Sequence, residues 1–173
     1  MKSALIALLA VCTTLAGAEE SERFEWFPLQ LSMVPKMQMM VKEVTIFGLK
    51  LNLFNGENDR VRGLDLGVFG GSGDFVGVQV NVANYVQWKT VGLRIGAIND
   101  AKDATGLAVG VVNLTDGLTE GVEIGAVNIG GDVLGLQVGV VNYCHSMVGM
   151  QLGLLNFIEA KPMRCLPFLN ICW

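Results

Sequence analysis

The stretch Gly92-Leu-Arg-Ile-Gly96-Ala-Ile-Asn99 carries the pattern that decides the fold. Glycine occupies positions one and five of this octad, apolar residues occupy positions two, four, six and seven, and asparagine occupies position eight. Copies recur every 14 or 15 residues, so the chain is a tandem array. Ten units begin near residues 28, 48, 63, 77, 92, 106, 121, 135, 149 and 163.

The units from residue 92 to residue 149 are regular, and those outside this range depart from the pattern. Asn52 and Asn81 replace the second glycine of their units, and the first and last units have no glycine at positions one and five. Apolar residues at positions two, four and six give a period of two, which indicates strands. Two glycines per octad would also cost a helix about 2 kcal/mol relative to alanine. We therefore predict an all-β chain.

The first 18 residues are predicted to be a cleaved signal peptide, which leaves residues 19–173 as one repeat-built β domain. Lys2 precedes an apolar run too short to span a bilayer, and Ala16-Gly17-Ala18 provides the small residues of a cleavage site. Loss of Lys2 moves the net charge from −4 to −5, and no basic patch remains for nucleic acid. We expect an exported protein of the bacterial outer membrane or cell surface.

The connections between octads carry a second, longer period. Six residues follow the units at 63, 92 and 121, and they place Asp74, Asp103 and Asp132 three residues before the next glycine. Seven residues follow the units at 48, 77 and 106. The true repeat is therefore a pair of strands of about 29 residues with two kinds of end. An antiparallel meander or a two-sided solenoid would produce this alternation.

The main prediction is an up-and-down antiparallel transmembrane β-barrel of about ten strands. In this fold, positions two, four and six face membrane lipid, while glycine and the polar third position line a narrow, polar interior. The predicted lipid-facing residues are Leu64, Leu66, Leu93, Ile95, Leu107, Val109, Val122, Ile124, Leu136, Val138, Met150 and Leu152. The alternative is a β-solenoid of 14/15-residue repeats, with the leucines inside and an internal ladder of the position-eight asparagines. A soluble sandwich ranks third.

Strand number and the chain end favour the barrel, whereas the asparagines favour the solenoid. Ten is an even number, as in bacterial single-chain barrels, and the two longest connections both follow odd strands. Leu169, Ile171 and Trp173 alternate at the C-terminus in a way that resembles the terminal aromatic signal of outer-membrane barrels. Simple alternation, however, places the position-eight asparagine on the leucine face, which suits a barrel poorly.

Charged residues at the third position predict ion pairs in the lumen. Lys50 and Asp65 occupy equivalent places in neighbouring units, and Arg94 and Glu123 are two units apart across the small Ala108. An interior charge is tolerated when it is paired and hydrogen-bonded. We expect both pairs to fill the lumen. If the chain is a solenoid, these positions are instead expected to be exposed and hydrophilic.

The octads resemble those of exported bacterial surface repeat proteins, which are built from tandem Gly-Leu-Gln-h-Gly-h-h-Asn units, where h is apolar. The match runs from about Pro28 to Trp173 and is densest at Gly135-Leu-Gln-Val-Gly139-Val-Val-Asn142. The missing glycines of the end units are departures from the family pattern. The resemblance implies a location at the cell surface or envelope, and it implies little about activity.

Catalytic chemistry has almost no support in the sequence. His145 stands beside Cys144 in an expected turn, but no further ligand or base is near, so we predict two ordinary turn residues. The recurring aspartates are best interpreted as solvated turn residues rather than as a cation site. Among Cys144, Cys165 and Cys172, one disulfide with one free thiol is the simplest arrangement, and three reduced thiols are the alternative.

We therefore expect a non-enzymatic protein without cofactor or metal, a small outer-membrane barrel with a structural or surface-interaction role and possible weak channel activity. Its expected partners are membrane lipid and an envelope or surface component. The alternative function is that of a secreted or surface-attached β-solenoid binding module.

Overall fold

A computed structural model of the protein describes residues 26–34, 37–38, 45–52 and 56–173. The proposed signal peptide, residues 1–18, lies outside these residues. The described strands are β1 (Trp26–Val34), β2 (Met37–Gln38), β3 (Thr45–Asn52), β4 (Gly56–Ile95), β5 (Ile98–Val109), β6 (Val112–Ile124), β7 (Val127–Val138), β8 (Val141–Ile158) and β9 (Cys165–Cys172). They form one sheet in the order β2-β1-β3-β4-β5-β6-β7-β8-β9.

Consecutive strands pair in parallel from β3 to β8, so the chain is a β-solenoid of about seven turns and not a barrel. Each unit stacks on the next in register, and the first glycine of one unit faces the first glycine of the following one, as at Gly106 and Gly121. The predicted antiparallel barrel is thus wrong. The sequence signal was ambiguous because both folds use the same strands, turns and 29-residue period.

The leucines point outward, as in the barrel hypothesis, although the chain forms the coil of the solenoid hypothesis. None of the twelve residues predicted to face lipid is buried, and five of them, including Ile95 and Leu107, are more than a third exposed. The third position instead lies inside the coil, where Lys50, Asp65 and Glu123 are at most 1% exposed. The solenoid hypothesis was therefore wrong in placing the leucines inside and these charges outside.

A bend at positions five and six explains how leucine and asparagine come to lie on different faces. The chain bends at Gly96-Ala97 and at the equivalent pairs of the next three units. Position three points inward, positions four, six and seven point outward, and position eight points inward again. Two successive outward residues shift the alternation by one. Asn99 therefore shares the interior with Arg94 and not the outer face with Ile95.

The two glycines of each octad meet different requirements. The first has a positive φ, for example +139° at Gly121, and a Cβ there would overlap the carbonyl oxygen of Gly106 in the preceding turn. The second lies against the asparagines. A Cβ on Gly125 would approach Asn113 Nδ2 to 2.8 Å, so glycine at position five makes room for asparagine at position eight.

The position-eight asparagines form a continuous ladder inside the coil. In each rung, Nδ2 donates one hydrogen bond to the Oδ1 of the next asparagine, as from Asn113 to Asn128 at 2.7 Å. It donates another to the carbonyl oxygen of position four in the next turn, as to Ile124 O at 3.0 Å. The ladder comprises Asn84, Asn99, Asn113, Asn128, Asn142 and Asn156. The internal ladder that the solenoid alternative predicted is confirmed.

The recurring aspartates fasten neighbouring turns at the second bend. Asp103 Oδ1 accepts a hydrogen bond from the Leu118 backbone N–H at 2.9 Å, and Asp132 Oδ1 accepts one from Ser146 Oγ at 2.5 Å. In this region the pairing register of the strands changes at three of the interfaces between turns. At each of these interfaces a 14-residue turn meets a 15-residue turn. Asp103 therefore supplies an acceptor where turns of unequal length meet, whereas Asp132 bonds a turn of the same length as its own.

The last strand reverses direction. β9 pairs antiparallel with β8, with Met150 opposite Ile171, so the unit that begins near residue 163 is a terminal strand and not another turn. Pro167 lies in β9 and has no N–H to offer a further strand. Lys161 Nζ donates to Ile171 O at 2.7 Å and to Asn170 Oδ1 at 3.0 Å. These contacts tie the connecting loop to the terminal strand.

Exchanging an interior asparagine should destabilise this fold more than truncating an outward leucine. Asn113→Ala removes one hydrogen bond each from Asn99 Nδ2, Asn128 Oδ1 and the Ile124 carbonyl. We expect it to cost about 3 kcal/mol, since an unsatisfied buried polar group costs about 1–3 kcal/mol. Leu107→Ala removes an outward side chain and should cost less than about 1 kcal/mol. Urea unfolding followed by circular dichroism measures both changes in stability. An equal or larger loss of stability for Leu107→Ala would contradict the arrangement with asparagines inside the coil and leucines outside.

Candidate functional site

The main outer surface of the coil is a flat aliphatic face, which we call the leucine face. It consists of the outward side chains at positions two and four. Neighbouring turns align them in two continuous rows, as at Leu93 and Leu107 or Ile95 and Val109. The face begins at Leu29 and Leu31 and ends with Leu169 and Ile171 of β9, all four of which are at least 40% exposed. No charged residue stands in either row.

A second apolar surface, the valine edge, continues the leucine face around the first bend. It consists of positions six and seven, which are Val82, Ala83, Ala97, Ile98, Val111, Val112, Ala126, Val127, Val140, Val141, Leu154 and Leu155. Val111 and Leu154 are each 57% exposed. The apolar surface therefore wraps over a convex corner rather than lining a groove.

Backbone amides at this corner are hydrogen-bonded from turn to turn. Gly110 N donates to Ile124 O at 2.9 Å, and Val111 N donates to Ala97 O at 3.0 Å. The same pair of bonds recurs at Gly125-Ala126 and at Gly139-Val140. The bend consequently exposes apolar side chains without exposing these N–H groups.

Charged side chains gather on the stretch between position nine and the next unit, which we call the charged side. It includes Arg60, Lys89, Lys102, Asp103, Asp116, Asp132, His145 and Glu159. Two basic side chains lie over exposed aromatic rings, one within the charged side at Trp88 and one at its border at Phe47. Lys102 Nζ lies 5.0 Å from the ring centre of Trp88, and Arg62 Cζ lies 5.3 Å from that of Phe47. Both aromatic side chains are more than 40% exposed.

The predicted pair Lys50 and Asp65 lies together in the interior. Their Nζ and Oδ2 atoms are 4.0 Å apart, and both side chains are fully buried. Asp65 also accepts hydrogen bonds from Asn52 Nδ2 at 2.5 Å and Gln79 Nε2 at 3.2 Å, while Lys50 Nζ donates to Gly71 O at 2.5 Å. Burial raises the pKa of Asp65 above its ordinary value of 3.8, and Lys50 opposes that rise.

The second predicted pair shares an interior compartment but makes no direct ion pair. Glu123 accepts hydrogen bonds from Thr115, Thr119 and Gln137 at 2.8–3.3 Å. Among the described residues, Arg94 Nη1 has no hydrogen-bond partner. Burial lowers the pKa of Arg94, although Glu123 opposes that change. A cavity of about 10 Å³ lies between them, lined in part by Ala108. That volume is about what a single buried water needs.

Cys144 and His145 do not form a catalytic pair. They lie within β8 rather than in the expected turn, and they point to opposite sides of the strand. Burial raises the pKa of the Cys144 thiol to about 12, whereas His145 Nδ1 lies 3.2 Å from Glu159 Oε2 on the surface. Cys144, Cys165 and Cys172 are free thiols in the structure. Cys172 packs against the apolar cluster that contains Cys144, and the disulfide pairing stays a prediction.

Two further searches of the described ranges gave negative results. Over residues 26–34, 37–38, 45–52 and 56–173, no helix has the length and apolarity needed to cross a membrane. Within those same ranges, no three histidine, cysteine or acidic residues group as ligands for a metal ion. The sequence analysis identified position three and the leucine face, but it missed the valine edge because simple alternation did not include the bend.

Removing the cation of the buried pair should destabilise the protein in a pH-dependent way. Lys50→Met leaves Asp65 buried without its counter-charge, which we expect to cost about 3 kcal/mol near neutral pH. A carboxyl whose folded pKa is raised contributes stability below its unfolded pKa and loses it as the pH rises through the folded pKa. The cost should therefore shrink towards pH 4.

The double variant Lys50→Met/Asp65→Asn is the control for that experiment, because it has no charge at either position. Urea unfolding from pH 4 to pH 8 should show that the second substitution recovers stability near neutral pH and removes the added pH dependence. A cost for Lys50→Met that is constant with pH would show that the pair is not coupled.

Filling the cavity with a hydroxyl should stabilise the interior. The Oγ of Ala108→Ser could accept a hydrogen bond from Arg94, and we expect a gain of about 1 kcal/mol. Ala101→Ser is the matched control, since Ala101 is equally buried but packs in an apolar cluster with Val86 and Phe75. This control should lose stability in thermal unfolding. Equal effects of the two substitutions on stability would show that the cavity does not favour a polar group.

Comparisons with protein-family models, with curated proteins and with solved structures found no match for this chain. The stacked asparagine ladder is consistent with a repeat protein, and the resemblance of its octads to bacterial surface repeats remains a prediction.

Proposed function

We propose that this chain is an exported, surface-attached binding module, in which the β-solenoid is a rigid support and the leucine face with the valine edge is the binding surface. The observation that carries this proposal is the inversion of the coil, with charges and amides inside and aliphatic side chains outside. At about 4.8 Å per turn and 3.3 Å per residue, the apolar surface covers roughly 700 Å². The largest apolar patch of a typical monomer is about 300–600 Å².

Rigidity supports this role. The ladder bonds lie between 2.7 and 2.8 Å and connect every turn from Asn84 to Asn156. Outward side chains are therefore held in fixed rows, and little conformational entropy is lost when a partner covers them. Between Arg94 and Glu123 the interior holds a cavity of water size. An outer binding surface thus has more support than an internal ligand site.

Association with the cell envelope tests the proposal. The triple variant Leu107→Ser/Ile124→Ser/Leu136→Ser changes only outward side chains, so its circular dichroism spectrum should match that of the unmodified protein. Its share in the salt-washed envelope pellet should fall several-fold, because apolar contact area is lost. The matched control Lys102→Ser/Asp116→Ser/His145→Ser alters the charged side by the same number of substitutions and should still pellet.

Two results would contradict the proposal. The first is an unmodified protein found wholly in the soluble exported fraction. The second is a leucine-face variant that pellets as well as the charged-side control.

A further inference from the structure

We propose that the occupant of the apolar surface is a lipid bilayer, with the solenoid axis parallel to the membrane plane and the valine edge inserted into one leaflet. This inference rests on the proposed function and names the class of its partner. The surface is convex, since two apolar faces meet at the row that contains Val111 and Val140. A fluid phase can cover both sides of such a corner, whereas one flat partner covers a single side.

A second copy of the chain fits this surface less well. The leucine face of ten strands measures roughly 43 by 13 Å, so pairing two copies would bury about 1,100 Å² in total. Stable interfaces usually bury about 1,200–2,000 Å². Such a dimer would also leave the valine edge uncovered, including Val82 at 55% exposure and Leu154 at 57%.

Backbone hydrogen bonding permits insertion at this corner. Unsatisfied N–H and C=O groups are excluded from the hydrocarbon region of a bilayer. The amides at Gly96-Ala97, Gly110-Val111, Gly125-Ala126 and Gly139-Val140 all donate to carbonyls of neighbouring turns, at 2.8–3.0 Å. The Asn ladder occupies the carbonyls of position four from the inside, as at Val138 O.

The dimensions and the borders fit a single leaflet. Four residues of strand span roughly 13 Å, and half of a hydrocarbon core is roughly 15 Å. Phe47, Tyr85 and Tyr143 stand at the borders of the charged side and Trp88 lies within it, and each of these four aromatic side chains is at least 38% exposed. Aromatic residues of this kind prefer the headgroup level. Arg62 and Lys102, which lie over two of these rings, would then face the headgroups and water.

Flotation with protein-free vesicles tests the inference. The purified full chain, in dilute detergent that is then removed, is mixed with phosphatidylcholine vesicles and centrifuged through a density gradient. We expect it to float with the vesicles, equally in 0.1 M and 1 M NaCl, because apolar contact rather than charge attracts it. Val111→Asp/Val140→Asp places charges at the valine edge, and its vesicle affinity should fall about tenfold or more.

The matched control Lys102→Gln/Asp132→Asn removes charges from the charged side and should float like the unmodified protein. If the protein associates with the envelope but does not float with the vesicles, it is a binding module without lipid affinity. This result overturns the lipid proposal and leaves the proposed function standing. A stable dimer in sedimentation experiments that does not float overturns it in favour of a second copy. Flotation that disappears in 1 M NaCl overturns insertion in favour of surface charge.

Discussion

Each turn of this solenoid depends on one requirement, which is that the position-eight asparagine inside the coil must find hydrogen-bond partners in a neighbouring turn. The position-eight asparagine meets this requirement twice, through the next asparagine and through a strand carbonyl. Other features of the octad accommodate it. Glycine at position five leaves space for the amide, and glycine at position one lets the backbones of successive turns approach closely. The apolar clusters of the interior are small, and one consists of Val133, Cys144, Met147 and Ile158.

The requirement also explains why aliphatic side chains lie outside. A 14-residue turn encloses a narrow space, and a row of amides and charges fills it from Gln30 through Lys50, Asp65 and Gln79 to Gln151. Leucine and valine then occupy the remaining positions of each strand, which point outward. Folding alone therefore covers only part of the apolar surface of this chain. Binding to an apolar partner would cover the rest, so folding and association are linked through the same side chains.

The sequence was sufficient to predict the strands and the tandem repeats, and its solenoid alternative predicted the asparagine ladder. The leucines lie outside the coil and Lys50 and Asp65 lie inside it, but the sequence analysis had placed them so only in a barrel. It did not decide between parallel and antiparallel pairing, because each strand has the same pattern in both and only hydrogen bonds between distant residues distinguish them. The bend at position five also escaped prediction, since alternation was assumed to run unbroken through a glycine. One signal was present: Arg94 and Asn99 both need buried partners, and they share one side only if two successive residues between them point outward.

The alternation of 14- and 15-residue turns limits how such a chain can change in length. From residue 63 to residue 134 the turns alternate in length, and Asp103 bonds the 15-residue turn that follows its own 14-residue turn. A single turn inserted in this part of the chain would place two turns of the same length next to each other. Duplication of a 29-residue segment would instead preserve the ladder, the register shifts and both kinds of bend. Growth or shortening of the gene in steps of two turns would thus lengthen or shorten the apolar surface by roughly 10 Å at a time, while the antiparallel strand β9 would remain a fixed end.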